Sequence, residues 1–461
     1  MPDLARVFSP ERVAVVGVST TNPFHPANII YNKNFYGSES GVYAVNPKGG
    51  ELERRRIFCS VGEIPERVDM AVIAVKAAVV PDVARECADA GVGSLVVISG
   101  GFAEMGESGQ ALQDELVDIC EANGMILIGP NCFGVYSPPA IDTFFLPPER
   151  TVLPKRGDIA VASQSGAFLV DQIMTNFHEA GIGVSVAVSM GNKAMVDEVT
   201  LLEHFASRDD TRAICFYLEG IGKRSREFFE LAETVTRSKP VVLFQGGKTG
   251  EGMKAARSHT GALSGDLKLM SGAMRQSGVI EATREIEVTS FSKIFTFYHH
   301  RPLETGNITV VSSSGGHGVV AADLAKEAGL SLPRFSAERQ EALRARIDRS
   351  LHDIATLDNP IDLTGSVADQ DFERALDYLL SEEDIEAALI LALPYTPMIT
   401  SFVGTRLGQV AKKHDKPVIA YIPNLAKYGM VLEGFELNGI PVVHSIEEGV
   451  QMLKALRLLA R

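Results

Sequence analysis

The run Arg257-Ser-His-Thr-Gly-Ala-Leu-Ser-Gly265 sets one imidazole, His259, among small and hydroxylated residues. A glycine- and lysine-rich lead-in, Gly246-Gly-Lys-Thr-Gly-Glu-Gly-Met-Lys254, precedes it. Such a stretch packs poorly as a core helix or strand and reads as a mobile loop that carries a nucleophile close to anions. Imidazole suits that task because it is neutral and nucleophilic near pH 7 and forms covalent intermediates. A lone loop histidine is by itself no site, so it needs partners. Two stretches offer them. Ser163-Gln-Ser-Gly-Ala-Phe168 opens a helix: Ser163 or Ser165 can cap it, which leaves free backbone N–H groups and the positive dipole end pointing outward. Glu219 follows an apolar strand; it can be merely solvated, or it can hold the second nitrogen of an imidazole and fix its tautomer.

These residues need a scaffold, and the sequence writes one three times over. Short Val-, Ile- and Ala-rich runs alternate with longer amphipathic stretches along all 461 residues, too many for one ordinary domain. Runs that are apolar at nearly every position indicate strands buried on both faces, hence parallel sheets flanked by helices. The first series places strands at Arg12–Gly17, Gly41–Asn46, Asp69–Val75, Ser94–Ser99 and Met125–Gly129. The second places them at Asp158–Ala162, Gly183–Val188, Ala213–Leu218, Val241–Phe244 and Val279–Ala282. The third gives Asn307–Val311, Ala387–Leu393, Pro417–Ile422 and Pro441–Val443. Five prolines interrupt the rhythm over Tyr136–Arg156, and a second break falls at His299–Gly306. The reading is α/β with three doubly wound domains: residues 1–135, a linker over 136–156, then 157–300 and 301–461.

In open parallel sheets, ligands sit beyond the carboxyl ends of the strands. On the first sheet those ends carry Val18 and Ser19, Asn46 and Lys48, Val75 and Lys76, Ser99 and Gly100, and Asn131. Five tight polar turns on one edge point to a nucleotide-like ligand. The first turn, Gly17-Val-Ser-Thr-Thr-Asn-Pro23, lacks the G-x-G-x-x-G spacing of a dinucleotide site, which disfavours a nicotinamide-dependent dehydrogenase. Gly246-Gly-Lys-Thr249 is no P-loop, because Val242 stands where the motif needs its first glycine. His317 and the remaining histidines do not cluster as ligands, so no metal site is expected. The net charge of −14 argues against a nucleic-acid binder, although it leaves room for an anionic cofactor held by backbone turns. Five scattered cysteines without paired spacing, no signal-peptide pattern and no run of spanning length lead us to expect a reduced, cytoplasmic setting without a membrane anchor.

Six motifs in order, Val45-Asn-Pro-Lys48, Gly129-Pro-Asn131, Ser163-Gln-Ser-Gly166, Leu218-Glu-Gly220, Ser258-His-Thr-Gly261 and Asn359-Pro-Ile-Asp-Leu-Thr-Gly365, make the chain resemble the α subunits of ADP-forming acetyl-CoA synthetases. These are NDP-forming acyl-CoA ligases of the succinyl-CoA synthetase superfamily. The resemblance implies a Rossmann-like CoA-binding domain followed by two flavodoxin-like, succinyl-CoA-synthetase-type domains. It implies that coenzyme A lies against Val18, Ser19, Asn46, Lys48, Val75, Lys76, Ser99, Gly100 and Asn131, and that phosphate meets Ser163, Ser165, Gly166, Ala167 and Asn131. His259 would carry the phosphoryl group, Glu219 would orient it, and Ser165 and Gly166 would stabilise the transfer. The substrates implied are CoA, phosphate and a small carboxylic acid. No ATP-grasp module is legible in the chain, so ADP or ATP and Mg2+ are expected on a separate β subunit, in an α2β2 assembly. Cys132 departs from the small hydroxylated residue expected at its position. A succinyl-CoA synthetase α-like subunit predicts only two domains, and a catalytically silent CoA-binding regulator predicts decay at His259, Glu219 or the Ser163–Gly166 turn.

Overall fold

The computed structural model describes residues 4–254 and 267–460, so His259 lies outside the described residues. The chain divides into two compact units, Met1–Thr283 and Arg284–Arg461.

The first unit holds two seven-stranded sheets. The first is built from β1 (Arg12–Val16), β2 (Gly41–Val45), β3 (Gly50–Leu52), β4 (Arg55–Phe58), β5 (Met70–Ile73), β6 (Ser94–Val97) and β7 (Ile126–Ile128). Their order is β3-β4-β2-β1-β5-β6-β7, parallel except for the β3–β4 hairpin at the edge. Strands β5, β6 and β7 are buried at every position, as their sequences, apolar but for Ser94, require. The second sheet comprises β8 (Gly134–Ser137), β9 (Ile141–Asp142), β10 (Arg156–Ser163), β11 (Val184–Ser189), β12 (Ala213–Leu218), β13 (Val241–Gln245) and β14 (Ile280–Ala282). The order is β14-β13-β12-β10-β11-β8-β9, with β10 to β14 parallel and β8 antiparallel to β11. The proline-rich run after Gly134 thus both connects the sheets and extends the second one by an antiparallel pair.

One core spans both sheets, from Val13, Ile30 and Tyr31 through Ile141 to Ala160, Leu201 and Phe216. The helix Pro26–Gly37 is tied to the second sheet through Asp142: Lys33 Nζ donates to its carboxylate at 2.7 Å, and Asn34 bonds its backbone on both sides.

The second unit has a parallel five-stranded sheet, β16-β15-β17-β18-β19, from β15 (Ile308–Ser312), β16 (Ile361–Asp362), β17 (Ala387–Leu391), β18 (Val418–Tyr421) and β19 (Val442–Val443). The helices Glu285–Tyr298 and Ile446–Leu459 belong to it and are joined by the Lys454–Glu287 ion pair at 2.6 Å. All three predicted sheets are present, and the class is α/β throughout. No helix of the described residues is long and apolar enough to cross a membrane.

Candidate active site

The turn after β10 is fixed from within. Ser163, fully buried, spends its hydroxyl on the Ser165 carbonyl at 2.7 Å. Ser165 caps the following helix by accepting from Phe168 N at 3.4 Å. A Cβ at Gly166 would come within 2.1 Å of the Phe133 ring, so only glycine lets the helix start there. Ala167 is exposed, and among the described residues the N–H groups of Gly166 and Ala167 have no partner, so the first turn offers them and its positive dipole end to an anion.

The strand order sets β12 next to β10 and β13 beyond it, so their carboxyl ends share one edge. Gln164 joins the first two ends: its N–H donates to the Tyr217 carbonyl and its Oε1 accepts from Glu219 N, both at 2.9 Å. Glu219 is only 5% exposed and bonds the Tyr217 hydroxyl. Burial, the Glu219 charge and that hydrogen bond together push the phenol up to about 12. Tyr217 therefore stays protonated and donates to the carboxylate. Phe168 stacks on the Tyr217 ring at 4.2 Å, and Phe244 closes the apolar wall at 5.9 Å from it.

The stem of the histidine run enters here. A Cβ at Gly246 would lie 2.6 Å from the Tyr217 hydroxyl and 3.4 Å from Glu219 Cγ, so the bare backbone passes directly over that pair. Lys248 is then held by the Ala282 carbonyl at 3.0 Å and Glu281 at 3.4 Å. Ser163–Ala167, Glu219 and the lead-in to His259 thus meet at one sheet edge; His259 itself is outside the described residues.

On the first sheet's edge the predicted residues also converge, but most of their side chains shape turns. Asn46 Nδ2 donates to Val18 O at 2.6 Å, and its Oδ1 accepts from Lys48 N at 2.9 Å. Ser19 Oγ accepts from Thr21 N and Asn22 N, while Ser19 N donates to Asn28 Oδ1 at 2.7 Å. Ser99 Oγ donates to Val75 O. What faces outward is backbone and the exposed side chains of Lys48 and Lys76. Asn131 sits in the left-handed region at φ +58° and donates its N–H to Ser99 O at 2.9 Å, which brings it to Gly100. Cys132 is buried, with its thiol 3.3 Å from the Val97 carbonyl and pushed up to about 12 by burial, so it is neither nucleophile nor ligand.

Sequence reasoning passed over Glu104, Gln113 and the Lys193–Glu198 pair. Glu104 Oε1 accepts from Gly101 N and Phe102 N, and its Oε2 from Asn192 at 2.6 Å. Burial pushes Glu104 up, but those hydrogen bonds outweigh it and hold the carboxyl below its ordinary range. Lys193 Nζ donates to the fully buried Glu198 at 2.8 Å and to Gly220 O at 2.9 Å. A carboxylate five residues beyond a lysine in a strand-end turn was the only trace of this pair in the sequence. No described residues form a cluster of three or more His, Cys, Asp or Glu side chains able to hold a metal ion.

Two family models match the chain. Residues 11–138 match a CoA binding domain and residues 156–295 a succinyl-CoA ligase like flavodoxin domain. The α subunit of ADP-forming acetate–CoA ligase I from Pyrococcus furiosus is 35% identical over 463 residues, spanning 98% of this chain and 97% of its own. The chain belongs to the ADP-forming acetate–CoA ligase family. ADP-forming acetate–CoA ligase I of Archaeoglobus fulgidus is 38% identical over 397 residues, which are 86% of this chain and 56% of that protein. The solved structure of the dinucleotide forming acetyl-coenzyme A synthetase 1 of Ca. Korarchaeum cryptofilum, in complex with phosphate and ADP, matches with a TM-score of 0.87 and 31% identity, covering 100% of this chain and 97% of that one. As an α-subunit-type member of this family of acid–thiol ligases, the chain has its CoA-binding domain on the first sheet and its ligase domain on the second.

Proposed function

We propose that this chain binds an acyl-CoA and phosphate, forms an acyl phosphate, and passes the phosphoryl group to His259 for delivery to a nucleotide on a partner subunit. The observation that carries the reading is the convergence of three strand ends on one edge: the open helix start at Gly166, the buried Glu219 with its Tyr217 donor, and the Gly246 stem that leads to His259.

A phosphate oxygen attacks the thioester carbonyl carbon, the C–S bond breaks, and CoA leaves as thiolate, which takes a proton to become the free thiol. A neutral nitrogen of His259 then attacks phosphorus, and the P–O bond to the acyl group breaks, releasing the carboxylate. An ADP phosphate oxygen finally takes the phosphoryl group, regenerating the imidazole; the sequence runs backwards from ATP. The helix start near Ser165, Gly166 and Ala167 stabilises charge on the phosphoryl oxygens, which is the main demand of such transfers. Glu219 accepts from the second imidazole nitrogen and supports the cationic phosphoimidazole. CoA lies along the first edge, with Lys48 and Lys76 as point charges for its phosphates and the turns at Val18, Ser19, Asn46, Val75, Ser99, Gly100 and Asn131 supplying shape and backbone groups. The nucleotide and its Mg2+ belong to an ATP-grasp β subunit in an α2β2 assembly, and the setting is cytoplasmic.

The test is a labelling experiment on the chain with its partner subunit, using radiolabelled ATP with Mg2+ or acetyl-CoA with radiolabelled phosphate. An acid-labile, base-stable label that disappears in His259→Ala is the expected result. Normal turnover by His259→Ala would overturn the reading.

A further inference from the structure

The turn that follows β11, Gly191-Asn-Lys193, touches both halves of the proposed site. On one side it clasps the first sheet's loops. Gly191 has φ +57°, and a Cβ there would lie 2.3 Å from Pro130 O and 2.4 Å from Asn131 O, so the two backbones are in direct contact. Asn192 N donates to Pro130 O at 3.0 Å and Ala194 N to Gly129 O at 3.1 Å. The Asn192 side chain then bonds in three directions. Its Nδ2 donates to Glu104 Oε2 at 2.6 Å and to Gln113 Oε1 at 3.0 Å, and its Oδ1 accepts from Asn131 Nδ2 at 3.3 Å. The other Glu104 oxygen holds the N–H groups of Gly101 and Phe102, which fixes the Gly100–Gly101 turn against Asn131. On the other side, Lys193, also left-handed at φ +53°, reaches Gly220 O just after Glu219, while Glu198 takes Gly222 N at 2.6 Å.

We propose that this turn is a positioning device: Asn192 and Glu104 set the strand ends that hold the CoA thioester at a fixed place relative to the phosphate turn and Glu219. The inference rests on the reading under Proposed function. Neither residue is assigned a contact with the reacting atoms. Their role is register between two loop systems, and attack on a thioester carbonyl is sensitive to misplacement on the scale of 1 Å.

The polarity of the pair supplies the test. In Asn192→Asp two carboxylates face each other across the clasp, whereas Glu104→Gln combined with Asn192→Asp reverses donor and acceptor and rebuilds the bond, with Gln113 turned to donate. Two half-reactions are measured on the complex with the partner subunit: labelling of His259 from acetyl-CoA plus radiolabelled phosphate, and labelling from radiolabelled ATP with Mg2+. Asn192→Asp is expected to lower the rate constant of the acyl-side reaction about 10- to 100-fold, the size of effect that supporting hydrogen bonds have on a reacting group. Its KM for acetyl-CoA should move by less than about threefold, which is small against the loss from a removed binding contact. The nucleotide-side reaction stays at the wild-type rate and doubles as the check that the variant is folded. The double variant recovers most of the lost rate.

A double variant no faster than Asn192→Asp, an equal loss in both half-reactions, or a raised KM with unchanged rate constant would each overturn the inference. Those outcomes leave the phosphohistidine reading standing, since wild type would still be labelled from both sides. Failure of that reading shows separately, as normal turnover in His259→Ala.

Discussion

The two strand edges of the first unit are built on the same plan and spend their polar groups in opposite ways. On the first sheet, Ser19, Asn46 and Ser99 turn their side chains back onto the chain, and the lysines at the strand ends, Lys48 and Lys76, are exposed. On the second, the charges are inside: Glu219 is 5% exposed and Glu198 is fully buried, each with a designated donor. The first arrangement suits a long, flexible, anionic ligand, because turns supply a shaped backbone track and solvated lysines supply attraction at little desolvation cost. The second suits chemistry, because a carboxylate in a water-poor setting acts strongly on a neighbouring imidazole. Substitutions on the two edges should therefore fail differently.

The largest effect is expected at Gly166. Gly166→Ala drives a methyl group into the Phe133 ring and displaces the helix start. Loss of a preorganised backbone donor set lowers phosphoryl transfer by about 100-fold or more, while CoA affinity, measured by calorimetry, stays nearly constant. Equal loss of CoA binding would erase the distinction between the edges. Next comes Glu219→Gln, which keeps the shape and removes the charge. Phosphorylation of His259 should slow by about 10- to 100-fold in quenched-flow labelling, again with CoA affinity preserved.

The parallel strands were legible because their sequences are apolar at nearly every position; β5 and β17, apolar throughout, could hardly be anything else. The strands that sequence missed have physical reasons for being quiet. The hairpin β3–β4 turns at Glu53 and Arg54, both with positive φ and neither of the residue types that normally announce such a turn. The strands β8 and β9 hide among prolines, and β16 is two residues long. The same split holds for the site. Ser163–Ala167 and Glu219 stand at strand ends where a reader looks, and the structure sets them side by side. Glu104 and Gln113 come from a 3-10 turn (Ala103–Met105) and a helix of the first sheet, and only folding brings them to Asn192, 88 and 79 positions away. Long-range clasps of this kind leave no spacing to read.

The buried charges of the second edge also predict a stability difference. Lys193→Met removes the donor from Glu198, whose carboxylate is fully buried, and strands a charge. Breaking such a pair by removing one partner costs about 3–5 kcal/mol, visible as a large drop in Tm at neutral pH. A change within the error of the melt would mean that water reaches Glu198 and that this edge is less dry than drawn. Glu104 gives the weaker, pH-dependent counterpart. Its carboxyl is held below the ordinary range in the folded state, so the stabilisation is present above the unfolded value and disappears as pH falls through the folded one. Wild type should thus lose stability relative to Glu104→Gln as the pH drops from about 5 to below 4. Melts of the two proteins that stay parallel over that range would count against a hydrogen-bonded carboxylate there.

The smallest effect belongs to the exposed edge. Lys48 stands beside the Asn46 turn with its ammonium in water, and the turn does not need that side chain, since the Asn46 bond goes to Lys48 N. Lys48→Ala should leave stability and the phosphorylation rate untouched and weaken CoA binding by about fivefold, the worth of one solvent-exposed ion pair. Because the attraction acts through solvent, the difference between wild type and variant should shrink as salt rises and the screening length falls. A salt-independent loss, or one approaching that of Gly166→Ala, would place Lys48 in a desolvated contact and make the first edge resemble the second.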